Sequence, residues 1–179
     1  MDRFSASSVD EQFYLIISAL VPYKRVDLAV EVFNANGKQL VIAGTGPESE
    51  KLQSMAKPNI KFLGWRSDEE LVQLYSKCTA LIFPGEEDFG IVPLEATASG
   101  KPVVAYGKGG ALETIVDGKT GVFFSEQTVS SLNAAIELVQ TIDFNPEEVR
   151  NYSMQFSRLV FKQKMQKFIE EKIQHHAVE

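Results

Sequence analysis

Short runs of nearly continuous apolar residues alternate along this chain with segments that are apolar on one face only, and no other feature constrains the fold as strongly. Phe13-Tyr14-Leu15-Ile16-Ile17-Ser18 is apolar and rich in β-branched residues, with polar residues before it and Pro22 after it, which predicts a buried strand. From Arg25 to Ala35, Val26, Ala29, Val32 and Phe33 recur at helical spacing. Asn36-Gly37 then ends the helix with residues that tolerate positive φ. Further strands are predicted at Gln39–Ala43, Asn59–Leu63, Thr79–Phe83, Val103–Tyr106 and Gly121–Phe124. Helices are predicted at Glu48–Ala56, after the capping-box pair Ser67 and Glu70, near Val92–Ser99, after Gly110, at Val129–Thr141 and at Pro146–Lys172. A strand that is apolar on both sides has no solvent face, so the sheet is parallel and covered twice. Right-handed crossovers make this an α/β chain, a doubly wound, mainly parallel Rossmann-like sheet with helices on both faces, in one domain.

Composition narrows the function. Twenty-four acidic against 18 basic side chains give a net charge of −6. That argues against a nucleic-acid partner, because duplex binding needs clustered positive charge. A small anion held by a few local donors is still compatible. The single cysteine, Cys78, excludes an internal disulfide and a multi-thiolate metal site, and reads as a buried small residue. Both histidines, His175 and His176, fall in the last five residues and read as a frayed tail. A catalytic His–Ser or His–Cys pair inside the fold is therefore not expected. No apolar run reaches the ~20 residues of a membrane span, and the polar start, Met1 to Gln12, holds no secretory core. A cytoplasmic location is the expectation.

Ligands of such sheets sit beyond the carboxyl ends of the strands, so the loops there carry the information. After the fourth strand comes Pro84-Gly85-Glu86-Glu87-Asp88-Phe89-Gly90-Ile91-Val92-Pro93-Leu94-Glu95, with three adjacent acids that core packing does not explain. Gly90 allows close backbone approach, and the following helix start offers free N–H groups to an anion. Glu95, about one turn in, faces the same crevice. An acidic surface loop accounts for this stretch as well as a ligand loop does. After the first strand, Lys24 and Arg25 oppose the helix dipole unless an anion binds or Asp27 relieves the charge. Gly44-Thr45-Gly46-Pro47 is half of a dinucleotide fingerprint, with Ser49 where the third glycine belongs, and a tight turn explains most of it. Gly107-Lys108-Gly109-Gly110 suits a hinge, a turn or a ligand loop equally. Trp65 offers a flat face to a base or simply packs.

Taken together, these blocks resemble the C-terminal half of a retaining glycosyltransferase of family 4, with the GT-B fold. The carrying residues are Glu87-x7-Glu95, with Val21-Pro22-Tyr23-Lys24, Ala43-Gly44-Thr45-Gly46-Pro47, Phe62-Leu63-Gly64-Trp65, Ala98-Ser99-Gly100-Lys101-Pro102, Gly109-Gly110-Ala111-Leu112-Glu113 and Asp117-Gly118-Lys119-Thr120-Gly121 around them. They run in order from Phe13 to Phe161. The resemblance implies that Glu87, the catalytic residue of this reading, contacts the donor sugar near the reacting carbon. The backbone of Phe89, Gly90, Ile91 and Val92 would meet sugar and diphosphate, and Glu95 the ribose hydroxyls. Gly64 and Trp65 would border the base, Gly44 and Gly46 would complete the donor site, and Lys24 would neutralise the leaving diphosphate. No metal and no further cofactor is implied. The wording of Ser18-Ala19-Leu20-Val21-Pro22-Tyr23-Lys24-Arg25 and of the acidic loop is similar to mannosyltransferases of polysaccharide and O-antigen assembly, which implies GDP-mannose as the donor.

Two departures from the family shape the expectations. Ala19 stands where many members carry an arginine that shares the diphosphate with the lysine, so Arg25 or Lys108 is expected to supply that charge. Complete members also have a first domain, which brings the acceptor contacts. Residues 1–12, with Met1-Asp2-Arg3-Phe4, read as the remnant of an interdomain linker, and residues 13–179 as the nucleotide-sugar-binding domain with its C-terminal helices. The implied partners are the missing N-terminal domain, a nucleotide-diphosphate sugar, and a glycan or lipid-linked acceptor at the inner face of a membrane. Phe156, Phe161 and Phe168 on the closing helix would, if exposed, favour a homo-oligomer, or else they cover this domain's own sheet. Other readings are a non-catalytic nucleotide-sugar-binding module, half of a nucleotide-sugar epimerase, or a dinucleotide-binding domain. The broken glycine fingerprint and the lack of an acid ending the second strand oppose the last of these.

Overall fold

The computed structural model describes residues 3–176. In chain order the elements are β1 (Phe13–Ile17), α1 (Val26–Asn36), β2 (Gln39–Ala43), α2 (Ser49–Met55), β3 (Ile60–Gly64), α3 (Asp68–Lys77), β4 (Ala80–Phe83), α4 (Ile91–Ala98), β5 (Val103–Tyr106), α5 (Ala111–Thr114), β6 (Gly121–Phe124), α6 (Val129–Val139), α7 (Pro146–Ser153) and α8 (Arg158–His176). The sheet order is β3-β2-β1-β4-β5-β6, and every neighbouring pair is parallel. This is the doubly wound order, whose direction of winding reverses between β1 and β4.

Two core layers explain the unbroken apolar strands. Tyr14 and Ile16 of β1, Ala80 and Ile82 of β4, and Val104 of β5 pack with α1 and α6 through Val30, Phe33, Leu132 and Ile136. Their sequence neighbours Phe13, Leu15, Leu81, Phe83 and Val103 pack on the other face with Tyr75, Ala96 and Ala111. Successive side chains of a strand point to opposite faces, so a sheet buried on both sides must be apolar at every position. The helix boundaries follow local chemistry. Gly37, at φ 71°, caps α1, and Ser67 and Glu70 complete a reciprocal capping box at the start of α3.

The C-terminal region departs from expectation. The single helix expected over Pro146–Lys172 is two helices, parted by a 3-10 turn at Met154–Phe156 and an extended Ser157. The Ser157 hydroxyl accepts from the Val160 N–H at 3.4 Å and so starts α8. Phe156 is not an exposed aromatic: its ring meets Phe89 edge-on at 6.4 Å and Tyr152 at 6.0 Å. Phe161 and Phe168 are exposed, and they share one face of α8 with Met165 and Ile169. The backbone stays helical through His176, where a frayed tail was expected.

The N-terminal stretch lies along the body. Met1 and Asp2 fall outside the described residues, but Phe4 is buried edge-on against Tyr75, and the amides of Ser7 and Glu11 donate to Ser99 and Lys77. Among the described residues no helix is long and apolar enough to cross a membrane.

Leu81 lies at the centre of the sheet with no exposed surface, so Leu81→Ala should cost about 2–5 kcal/mol, whereas Phe168→Ala on the exposed helix face should cost under about 0.5 kcal/mol. Urea unfolding followed by circular dichroism reads both.

Candidate functional site

The winding reversal leaves a crevice where the chain leaves β1 and β4, and two loops close over it. After β1 the backbone makes a 3-10 turn at Pro22–Lys24. After β4 it runs through Gly85, where a Cβ would stand 2.8 Å from Lys24 Cα and 2.9 Å from the Tyr23 carbonyl. Only glycine permits that approach. It brings Lys24 into an ion pair with Glu87, both side chains being about four-fifths buried. Burial alone lowers the Lys24 pKa from its ordinary value, since desolvation disfavours the charged amine.

The acidic loop is supported from below. A Cβ on Gly109 or Gly110 would overlap the backbone of Glu87, Asp88 and Phe89, and the Gly110 N–H donates to the Glu87 carbonyl at 2.7 Å. Gly109 and Gly110 therefore act as a packing surface under the acidic loop, a use apart from the hinge, turn or ligand loop that the glycine run suggested. Phe156 holds the Phe89 ring from the side. Gly90, left-handed at φ 82°, caps α4 without any side-chain partner, and among the described residues none accepts from the N–H groups of Ile91 and Val92 at the cleft.

The resulting cleft has a volume of about 750 Å³. Eight of the expected residues border it: Lys24, Gly44, Trp65, Glu87, Phe89, Gly90, Ile91 and Val92. Trp65 is 71% exposed, with its face open rather than packed. A larger cavity, about 890 Å³, opens at the opposite end of the sheet beside Tyr14, Gln39, Thr79 and Pro102. Those are strand starts, the end at which ligands of this architecture do not bind.

Four expected residues lie outside the cleft lining: Arg25, Gly46, Gly64 and Glu95. Gly46 is packed where a Cβ would overlap the Leu20 carbonyl, so its glycine serves the turn. Gly64, at φ 70°, turns the chain toward Trp65. Arg25 is left-handed at φ 53°, and its guanidinium turns away to Asp27 and Gln127, each at 3.3 Å. Lys108 stacks over Tyr106 at 5.5 Å. Neither cation is brought to the crevice. Arg66 is, held by its bond to the Trp65 carbonyl at 2.9 Å and by Glu70 at 3.6 Å. It immediately follows Trp65, just beyond the carboxyl end of β3, and that position was the available signal.

Glu95 stands behind the lining, where Tyr75 donates to its Oε2 at 3.0 Å and Arg3 to its Oε1 at 2.7 Å. Arg3 also pairs with Asp68, which does border the cleft. Burial, reinforced by the Glu95 charge, pushes the Tyr75 hydroxyl well above its ordinary pKa, so it keeps its proton and donates it to Glu95. Cys78 is buried and its thiol is pushed up to about 12, which leaves no nucleophile there. Among the described residues no three His, Cys, Asp or Glu side chains are gathered around a common point.

The chain is a doubly wound α/β half whose winding reversal opens on a cleft walled by a cation–carboxylate pair and the start of α4. The pattern of the family described as "Glycosyl transferases group 1" matches residues 2–156, and this chain belongs to that family. An uncharacterized glycosyltransferase of Methanocaldococcus jannaschii is 31% identical over 147 residues, which cover 79% of this chain and 40% of the relative. The alpha-1,3/1,6-mannosyltransferase ALG2 of Dictyostelium discoideum is 33% identical over 158 residues, 73% of this chain and 38% of the relative. A GDP-mannose-dependent alpha-(1-6)-phosphatidylinositol monomannoside mannosyltransferase of Mycolicibacterium smegmatis is 32% identical over 145 residues, 71% of this chain and 38% of the relative. The chain thus spans about two-fifths of the length of these relatives. Among solved structures, the lipopolysaccharide outer core galactosyltransferase WaaB aligns with a TM-score of 0.81 at 20% identity, over 94% of this chain and 54% of that one, which shows the shared GT-B fold.

Removing the carboxylate partner from a desolvated amine disfavours its charged form, so Glu87→Gln should lower the Lys24 pKa further. Nitrogen-detected NMR titration of the Lys24 side chain measures the shift.

Proposed function

We propose that this chain is the donor-binding half of a retaining glycosyltransferase of family 4, which takes a nucleotide-diphosphate sugar, GDP-mannose, and passes the sugar to a glycan or lipid-linked acceptor. The observation that carries the reading is the Lys24–Glu87 pair set opposite the free N–H groups of α4. A diphosphate replaces the carboxylate as the counter-charge of Lys24, with Arg66 as the second cation on the cleft wall. Negative charge grows on the diphosphate as the glycosidic bond breaks, so a fixed cation and oriented amides act most strongly at that stage. Glu87, released from Lys24, accepts hydroxyls of the sugar next to the reacting carbon. Glu95 serves the ribose and Trp65 stacks on the base. The mannosyltransferase relatives, one of them named as GDP-mannose-dependent, support mannose and guanine in the donor.

In this reading the acceptor, and the groups that orient it, come from a first domain. The chain by itself therefore binds donor without transferring it, and donor binding requires no metal. A place beside the inner face of a membrane, where lipid-linked acceptors lie, belongs to the same proposal.

Calorimetric titration with GDP-mannose and UDP-glucose, in the presence of a chelator, tests it. GDP-mannose should bind selectively, and Lys24→Ala or Glu95→Ala should weaken it at least about tenfold, the loss expected when a charge-assisted contact is removed. If neither sugar nucleotide binds, the donor reading fails. If UDP-glucose binds better, only the choice of donor fails.

A further inference from the structure

Glu95 stands one layer behind the cleft lining, beside Asp68, which borders it, so a ligand that extends to Glu95 meets a carboxylate already fixed by its partners. The two groups that fix it come from distant parts of the chain. Tyr75, on α3, takes one lone pair of Oε2, and Arg3, from the segment before β1, takes one lone pair of Oε1. A carboxylate has about four lone-pair sites, so about two are left, one on each oxygen. Two acceptors side by side in one plane match the two vicinal hydroxyls of a ribose.

Arg3 is well placed to set that plane. Its fork spans two carboxylates on different helices, Glu95 on α4 and Asp68 at the start of α3. It lies over the ring of Phe4 at 5.0 Å, and Phe4 is itself buried against Tyr75. The anchored neighbour limits the freedom of an otherwise exposed side chain. Without the guanidinium, Asp68 and Glu95 would face each other as like charges. A planar, always-charged donor fork is what this bridge requires, and an ammonium is a point charge without that geometry.

We propose that Arg3 is a positioning residue for nucleotide recognition, orienting the Glu95 carboxylate so that its two remaining acceptor sites meet the ribose hydroxyls. The inference rests on the donor-site reading above and deepens it. It makes the segment preceding β1 part of the nucleoside subsite, although Arg3 itself touches no part of the nucleotide.

The test is calorimetric titration of the 179-residue chain with GDP, UDP and their 2′-deoxy forms, for wild type, Arg3→Ala and Arg3→Lys. Wild type should prefer the ribonucleotide over its 2′-deoxy form by about tenfold. Arg3→Ala should weaken ribonucleotide binding by a similar factor and erase most of that preference, because an unoriented carboxylate no longer reads the diol. Arg3→Lys should fall between the two on both readings, and it keeps the test open if Arg3→Ala folds poorly. Equal losses for ribo and deoxy forms would show a structural role only and overturn the inference. So would unchanged binding, or tighter binding, which would make Arg3 a plug on Glu95. A wild-type chain that binds neither diphosphate overturns the donor-site reading itself, and the two failures are thereby distinguished.

Discussion

The close approach of two loop backbones at Gly85 is the contact on which the site depends. Strand order alone delivers both loops to one edge of the sheet, but it leaves them as neighbours and no nearer. With no side chain at Gly85, the turn at Pro22–Lys24 settles against the start of the acidic loop, and Lys24 and Glu87 then share a largely dry space. Such a pair is worth little as a source of stability, since desolvation offsets most of the attraction. Its value lies in exchange. In the donor reading proposed above, an anionic ligand that takes the lysine frees the glutamate at the same moment, so one displacement would prepare both the phosphate and the sugar ends of the cleft.

Glycines repeat this device around the crevice. Gly44 leaves room for the Ser18 carbonyl, and Gly109 and Gly110 leave room for the backbone of the acidic loop. Each position removes a side chain where two main chains need to touch, and the result is a rigid rim. Rigidity matters because amides at a helix start help an anion only if they already point at it. The left-handed Gly90 gives α4 that direction without spending any of its donors on a capping side chain.

Much of this was legible in the sequence. Strand positions were readable because a twice-covered sheet demands apolar residues everywhere, and the cleft was readable because ligands meet this architecture at known loop positions. The broken C-terminal helix was not, because Phe156 turns inward to meet Phe89, a contact between residues far apart in the chain. Arg25 misled for a different reason. It adjoins Lys24 in sequence, yet its left-handed backbone sends the two side chains different ways. Arg66 obeyed the positional rule for loops after strands and was legible in principle. Arg3 was marked only as part of a linker-like stretch, and its partner Glu95, 92 positions away, was out of reach of any local pattern.

The edge-on pair of Phe89 and Phe156 has a mechanical consequence. Phe89 adjoins Gly90, so the ring contact is a lever arm between the last helices and the amides at the cleft. Phe156 is followed directly by the extended Ser157 and then α8, so the same short stretch that parts the two helices also supplies the ring that meets Phe89. The residue that leads into the open helix start is thereby buttressed by the segment between the last two helices, so the C-terminal region is part of the frame of the cleft rather than an appendage to it.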